Sequence, residues 1–205
     1  QQAARELFTQ TLVRLAALAK DEPGSLQKPH AVSDTLRAKL EQMLARGNNT
    51  PEQTGAMLEA VTMELHYLDD FEESLAVGQR YLTHLQSSGG DPHQVTFAAS
   101  VAAANLCILH RYEECEAQLR AGLARSAETD DAEMRIERLH MLGQLGHVLM
   151  LAGKREQVLP VLNTARQLAR KTRLNEEMQA LIDVMESRYW HGFDDARAIA
   201  SARSA

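Results

Sequence analysis

The sequence has few of the residues that specialised folds and surfaces require. Only 4% of its residues are aromatic, and it contains two cysteines, five prolines and no apolar run of membrane-spanning length. Two cysteines are too few for a disulfide framework, and without a long apolar run we expect no direct membrane insertion. The formal net charge is -6. Because phosphate binding needs clustered Lys and Arg, this charge argues against nucleic acid as a partner.

The abundant residue types favour helices. The chain has 205 residues, of which 44% are hydrophobic and 24% charged, and Ala, Leu, Glu, Gln and Arg are prominent. These residues have high helix propensity, and the length suits one domain or one short array of repeats. The composition therefore predicts an all-α protein.

The first part of the chain predicts two helices and a linker. Residues 1–20 carry an apolar stripe at helical spacing, and residues 21–29 contain two prolines and a glycine. A second helix is predicted over 33–46, with Gly47 as its stop. We interpret 1–48 as N-terminal capping helices and a linker, and 49–205 as a separate repeat domain.

Regular helix signals begin at residue 50. Thr50, Pro51 and Gln53 form a capping-box pattern with proline at the first helical position, and Asp91 followed by Pro92 is a similar start. The residues that open each predicted second helix are 41, 43 and 38 residues apart; they are Phe71, Tyr112, Arg155 and Phe193. This spacing predicts helical hairpins repeated along the chain.

The clearest hairpin lies between Leu145 and Ala165. A Leu-Gly pair is followed by an apolar residue three positions on, by a turn at Gly153, and by small and large residues at helical spacing. This order resembles the tetratricopeptide repeat, although the spacing here exceeds the usual period of about 34 residues. Three positions depart from the family pattern. Gly78 replaces a large apolar residue, and Arg155 replaces an aromatic residue. Pro160 falls inside the second helix of its hairpin, and it should kink this helix or delay its start.

The resemblance implies a right-handed α-solenoid of about four hairpins preceded by two helices. Its units would cover residues 52–88, 92–128, 131–172 and 175–203. In such a stack the first helix of each hairpin lines a concave side. The residues that the resemblance places there, as a methionine-rich peptide-binding groove, are Glu59, Met63, His66, Tyr67, Phe97, Ser100, Cys107, His140, His147, Met150, Met178, Met185, Arg188 and Tyr189. The alternative is that these side chains are simply core.

This arrangement predicts a protein-interaction scaffold or sensory module rather than an enzyme. Methionine side chains adapt to varied apolar partners, so a helical or extended apolar peptide is the expected ligand. Three alternatives stay open: a ligand-sensing domain of a bacterial transcription factor or kinase, an enzyme of unrecognised type, and a self-assembly module that forms homodimers. The expected compartment is the cytoplasm, or the periplasm if the chain is a fragment of a membrane-anchored regulator.

No catalytic, cofactor or metal motif is present. The sequence contains no phosphate-binding glycine loop, HExxH motif or nucleophile elbow. His140 and His147 lie two helical turns apart, which is too far for a shared metal ion without further ligands. Cys107 and Cys115 flank a predicted turn, where they are either buried small side chains or a redox pair. We therefore expect no cofactor and no metal.

Overall fold

The structure of the protein, a computed structural model, describes residues 31–172, 182–184, 186–187 and 189. All regular secondary structure in these ranges is helical. The chain forms two compact units, Gln1–Gly90 and Asp91–Ala205, so the predicted boundary after residue 48 falls inside the first unit. The helix predicted over 1–20, its linker and most of the hairpin predicted over 175–203 lie outside the described residues.

The described part of the first unit contains α1 (Ala31–Ala45), α2 (Pro51–Tyr67) and α3 (Phe71–Ser88). Helix α1 confirms the helix predicted over 33–46, and its Leu36 and Leu40 side chains are buried. Gly47 follows it with φ of 67°, a conformation that glycine adopts without a steric cost. Helix α2 packs against both α1 and α3.

The described part of the second unit contains α4 (Pro92–Ile108), α5 (Tyr112–Ser126), α6 (Ala132–Leu151), a 3-10 turn (Arg155–Gln157) and α7 (Val158–Lys171). Each helix packs against the next one in the chain, and α4 also contacts α6. The unit therefore holds two helical hairpins side by side. Pro160 lies in the first turn of α7, where backbone N–H groups lack helical partners. The predicted delay of this helix is confirmed, because the 3-10 turn precedes it.

Both predicted helix starts are formed by local hydrogen bonds. Thr50 Oγ1 accepts a hydrogen bond from the backbone N–H of Gln53 at 3.2 Å, and Gln53 Oε1 accepts one from the backbone N–H of Thr50 at 2.9 Å. Asp91 Oδ1 accepts from the backbone N–H of His93 at 3.0 Å. These contacts satisfy N–H groups that the helices leave unpaired, so α2 and α4 begin where the sequence predicts.

The same turn geometry joins the two helices of the three described hairpins, which are α2–α3, α4–α5 and α6–α7. Its left-handed residue is Asp69, His110 or Gly153, with φ of 59°, 60° and 73°. In all three turns the following residue donates its backbone N–H to the carbonyl five residues earlier, at 2.8 to 3.0 Å. This bond belongs to the Schellman motif that ends helices. The left-handed residues are 41 and 43 residues apart, so the repeat spacing predicted for these hairpins is confirmed, whereas Phe193 lies outside the described residues.

The equivalent positions explain why Gly78 departs from the repeat pattern. In the two later hairpins the same position holds Leu119 and Leu162, both fully buried. Thr62 lies opposite Gly78, and the positions equivalent to Thr62 on the later first helices hold Ala103 and Gly146. A Cβ on Gly78 would lie 3.2 Å from Thr62 Cγ2. The large and small side chains have therefore exchanged helices in the first hairpin.

A second exchange of large and small side chains lies one helical turn further along α3. Tyr81 is 2% exposed, and its hydroxyl donates a hydrogen bond to Glu59 Oε2 at 3.0 Å. The equivalent residues of the later hairpins are Gly122 and Ala165. The first hairpin thus places its large side chain at Tyr81 and a glycine at Gly78, while the later hairpins do the reverse.

Candidate functional site

The groove residues predicted in the first unit divide into two groups. Glu59 and His66 lie toward α3, since Glu59 accepts the hydroxyl of Tyr81 and the His66 ring packs edge-on against Phe71 with centroids 5.5 Å apart. Met63 and Tyr67 lie on another side of α2. Met63 is partly exposed, and Tyr67 is 72% exposed. Tyr67 is therefore the most exposed of the four predicted side chains.

The second unit shows the same division. Phe97, His140 and His147 are partly exposed, whereas Ser100 is only 8% exposed. The Cys107 thiol lies against Cys115 of the neighbouring helix α5. Met150, which is partly exposed, has the position in α6 that Cys107 has in α4. The structure therefore places Ser100 in the interior of the unit and Cys107 at a partly exposed contact with α5.

The remaining predicted residues come from the fourth hairpin. Met178, Met185 and Arg188 lie outside the described residues. Tyr189 is described, and it is engaged by Arg155: the guanidinium lies 5.9 Å from the centre of its ring, and Nη2 donates to its backbone carbonyl.

Sequence reasoning missed the apolar residues that end the first helices of the second unit. Ile108 is 44% exposed and Leu151 48% exposed. Both occupy the position that Tyr67 has at the end of α2, immediately before the repeated turn. The repeat spacing itself was the available signal, because counting 41 residues from Tyr67 reaches Ile108 and counting 43 more reaches Leu151.

Partly exposed positions recur every three or four residues along α4 and α6, so each helix presents one continuous stripe. The two helices contact each other, and His93 near the start of α4 reaches Asp131 at the start of α6, so the helices run in the same direction. We call the two stripes together the open face; it consists of Gln94, Phe97, Val101, Ala104 and Ile108 from α4, and Glu137, His140, Gln144, His147 and Leu151 from α6.

The N-terminal end of the open face is polar and largely held by internal contacts. Asp131 Oδ1 accepts the backbone N–H of Met134 at 2.8 Å, and Asp131 Oδ2 accepts His93 Nε2 at 3.0 Å. These bonds, the backbone one first, lower the pKa of Asp131. Arg138 donates to Asp130 Oδ1 at 2.7 Å and lowers the pKa of that carboxyl group. The charges at this end are therefore mostly paired.

Glu137 is the exception at this end of the face. It is partly buried, and among the described residues it forms no hydrogen bond or ion pair, with His140, Glu133 and His93 as its charged or titratable neighbours. Burial raises the pKa of its carboxyl group, while the two imidazoles act in the opposite direction. Removing an ionised carboxylate from water costs free energy unless a cation or hydrogen-bond donor replaces the water.

Groups for metal chemistry or membrane insertion are not assembled in the described ranges. No three His, Cys, Asp or Glu side chains converge there as metal ligands would. No helix of these ranges combines the length and the apolar character that a membrane crossing requires.

The two cysteines form a thiol contact between α4 and α5. Both are free, Cys107 is partly exposed and Cys115 is fully buried. The contact with Cys115 lowers the pKa of the Cys107 thiol, and burial only partly opposes this effect. The contact with Cys107, followed by burial, raises the pKa of the Cys115 thiol. The contact therefore favours ionisation of the Cys107 thiol over that of the Cys115 thiol.

We expect iodoacetamide to label Cys107 at least about tenfold faster than Cys115 in the native protein, because the thiolate is the nucleophile and only Cys107 is both accessible and acidified. Peptide mass spectrometry after timed alkylation measures the two rates. In denaturant the rates should become similar. Equal native rates would contradict the thiol contact.

Comparisons with known proteins are informative about the fold alone. No protein-family model matches the sequence, and no curated protein matches it significantly. The crystal structure of BtubC (BKLC) from P. vanneervenii is similar, with a TM-score of 0.66 over 99% of this chain and 89% of that chain, at 9% sequence identity. At this identity a shared fold carries no statement about activity.

Proposed function

We propose that the chain is a protein-interaction scaffold, built as an α-solenoid of tetratricopeptide-like hairpins, whose first helices bind an apolar segment of a partner protein. Support comes from the repeated turn, from the side-by-side packing of the two hairpins in the second unit, and from the periodic spacing of 41 and 43 residues. On this proposal the protein is not an enzyme and needs no cofactor.

The observation that carries the proposal is the exposed apolar residue at the end of each described first helix. Tyr67, Ile108 and Leu151 are 72%, 44% and 48% exposed. A single exposed apolar side chain is ordinary. Exposure at the same position of three successive hairpins is systematic, and exposed apolar surface of this kind is typical of a binding site.

The open face also suits a peptide better than a small molecule. It follows two parallel helices, and Phe97, Val101 and Leu151 supply apolar contacts beside the polar His140 and Gln144. Such a mixed, elongated surface provides anchors at intervals along a chain. A ligand-sensing domain would instead need an enclosed apolar cavity.

A random peptide library displayed on phage can test the proposal. Peptides selected on the intact protein are synthesised, and their Kd values are measured for the wild type and for the exchange Leu151→Glu. We expect at least about tenfold weaker binding to the variant, because an apolar anchor residue contributes about 1–2 kcal/mol or more. Ala124→Glu, at an exposed position of α5, is the matched control and should bind as the wild type does.

Two results would overturn the proposal. One is a selection that enriches no peptide, or enriches only peptides that bind Leu151→Glu as tightly as the wild type. The other is a solution mass that doubles with concentration in the wild type and stays monomeric in Leu151→Glu, since the exposed residues would then serve self-assembly. Circular dichroism of every variant verifies that the helices are intact.

A further inference from the structure

Glu137 occupies a position on the open face that is unfavourable for an ionised carboxylate. It lies one turn before His140 on α6, partly buried, without a hydrogen bond or ion pair in the described part of the chain. Glu133, one turn earlier, adds a second negative charge close by. A carboxylate in such surroundings is stabilised when a cation approaches it.

The protein's own nearby cations are directed elsewhere. Arg135 and Arg138 both form ion pairs with Asp130, at 3.3 and 2.7 Å. The His93 imidazole is held by Asp131 at 3.0 Å. None of these three side chains pairs with Glu137, and His140, one turn later on α6, forms no ion pair with it in the described part of the chain.

The other end of the open face is apolar. Leu151 ends α6 fourteen residues after Glu137, which corresponds to about 21 Å along the helix. An extended peptide covers this distance in about six or seven residues, whereas a helical peptide needs about fourteen. Ile108, on the adjacent α4, lies at the same end as Leu151.

We infer that the open face selects peptides that carry a basic side chain for Glu137 and an aliphatic side chain for the Ile108 and Leu151 end. The inference rests on the proposed function and adds the charge of the ligand and the spacing of its two anchors. Charge complementarity gives specificity, because a peptide with an acidic residue at the same place would meet Glu137 and Glu133 with like charge.

A double-mutant cycle with defined peptides tests the inference. The probes are synthetic end-blocked peptides of alanine and serine that contain one lysine and two leucines and differ only in the spacing between them. Isothermal titration calorimetry selects the tightest spacing. Each measurement is then repeated with lysine replaced by glutamine in the peptide and with Glu137→Gln in the protein.

We expect each single exchange to weaken binding about tenfold, which is typical of a lost charge-assisted hydrogen bond. The double exchange should weaken binding little further, because either exchange alone removes the same contact. Glu113→Gln, at an exposed position of α5, should leave the Kd unchanged. Glu133→Gln should have a smaller effect than Glu137→Gln, since an exposed charge contributes less.

The outcomes separate this inference from the proposed function. If the lysine and glutamine peptides bind equally, and both lose affinity for Leu151→Glu, the scaffold function stands and the charge preference is wrong. If none of the lysine-leucine peptides binds while phage-selected peptides do, the inference also fails by itself. The melting temperature of Glu137→Gln should not fall, because the exchange removes a poorly solvated charge; even if it fell, the peptide exchange alone would still decide the question.

Discussion

Replacing Tyr81 with alanine is expected to lower the free energy of unfolding by about 3–5 kcal/mol, as for other large buried side chains. The Tyr81 ring is 2% exposed, and its hydroxyl donates to Glu59 Oε2 at 3.0 Å. The exchange therefore leaves a cavity and removes a hydrogen bond. Urea unfolding followed by circular dichroism measures the loss.

A matched control separates the contribution of the Tyr81 ring to stability from that of its hydroxyl group. Tyr81→Phe keeps the ring and removes the hydroxyl that donates to Glu59, so we expect a loss of about 1–2 kcal/mol. If Tyr81→Ala were no more destabilising than Tyr81→Phe, the ring would not be a core element of the first hairpin.

A compensating variant tests the exchange of large and small residues between the hairpins. Combining Thr62→Ala, Gly78→Leu and Tyr81→Ala gives the first hairpin a small, large, small pattern similar to that of Ala103, Leu119 and Gly122 in the second. We expect this variant to regain at least about 2 kcal/mol relative to Tyr81→Ala alone, because the new leucine fills the space that the tyrosine leaves. No recovery would show that the equivalent positions are not interchangeable.

Introducing a methyl group at Gly122 should also have a large effect on the stability of the protein. A Cβ there would lie 2.1 Å from Met141 Cε and 3.6 Å from Ala99 Cβ. Met141 is fully buried, so it can move only by repacking the contact of α5 with its neighbours. We expect Gly122→Ala to lower the free energy of unfolding by about 1–2 kcal/mol net, because the cost of overpacking exceeds the gain in helix propensity.

Gly55 provides the matched control for this exchange. It is also a buried helical glycine, and an added Cβ would lie 3.6 Å from the nearest His84 atom, an ordinary contact. Gly55→Ala should therefore stabilise the protein by about 1 kcal/mol through helix propensity. In a Met141→Ala background, Gly122→Ala should no longer destabilise, because the space it needs is then empty. Equal effects at the two glycines would contradict the packing described for α5.

The exposed apolar residues show where reasoning from sequence was incomplete. Ile108 and Leu151 look like core residues in the sequence, because apolar side chains are usually buried. In the structure they are 44% and 48% exposed, and each is the last residue of a first helix, directly before the turn.

The stripe of groove residues predicted on the first helices also differs in part from the exposed stripe in the structure. Each residue turns the helix by about 100°, so a small error in choosing the stripe moves a side chain from one neighbour to another. Ser100 and Cys107 were expected on the groove side; Ser100 is nearly buried, and the partly exposed Cys107 contacts Cys115 of α5. Phe97, His140 and His147 lie on the open face, and their role in peptide binding stays a prediction.

The sequence by itself determined the helical class, the helix starts at Thr50 and Asp91, and the regular spacing of the turns. These features depend on interactions between residues close together in the chain, such as caps and the hydrogen bonds of a turn. Only the tertiary structure decided that Tyr81 rather than Gly78 fills the first hairpin and that Glu137 lacks a partner among its described neighbours. Packing and the pairing of charges depend on residues brought together from different helices, and periodicity along one helix does not specify which neighbour each face will meet.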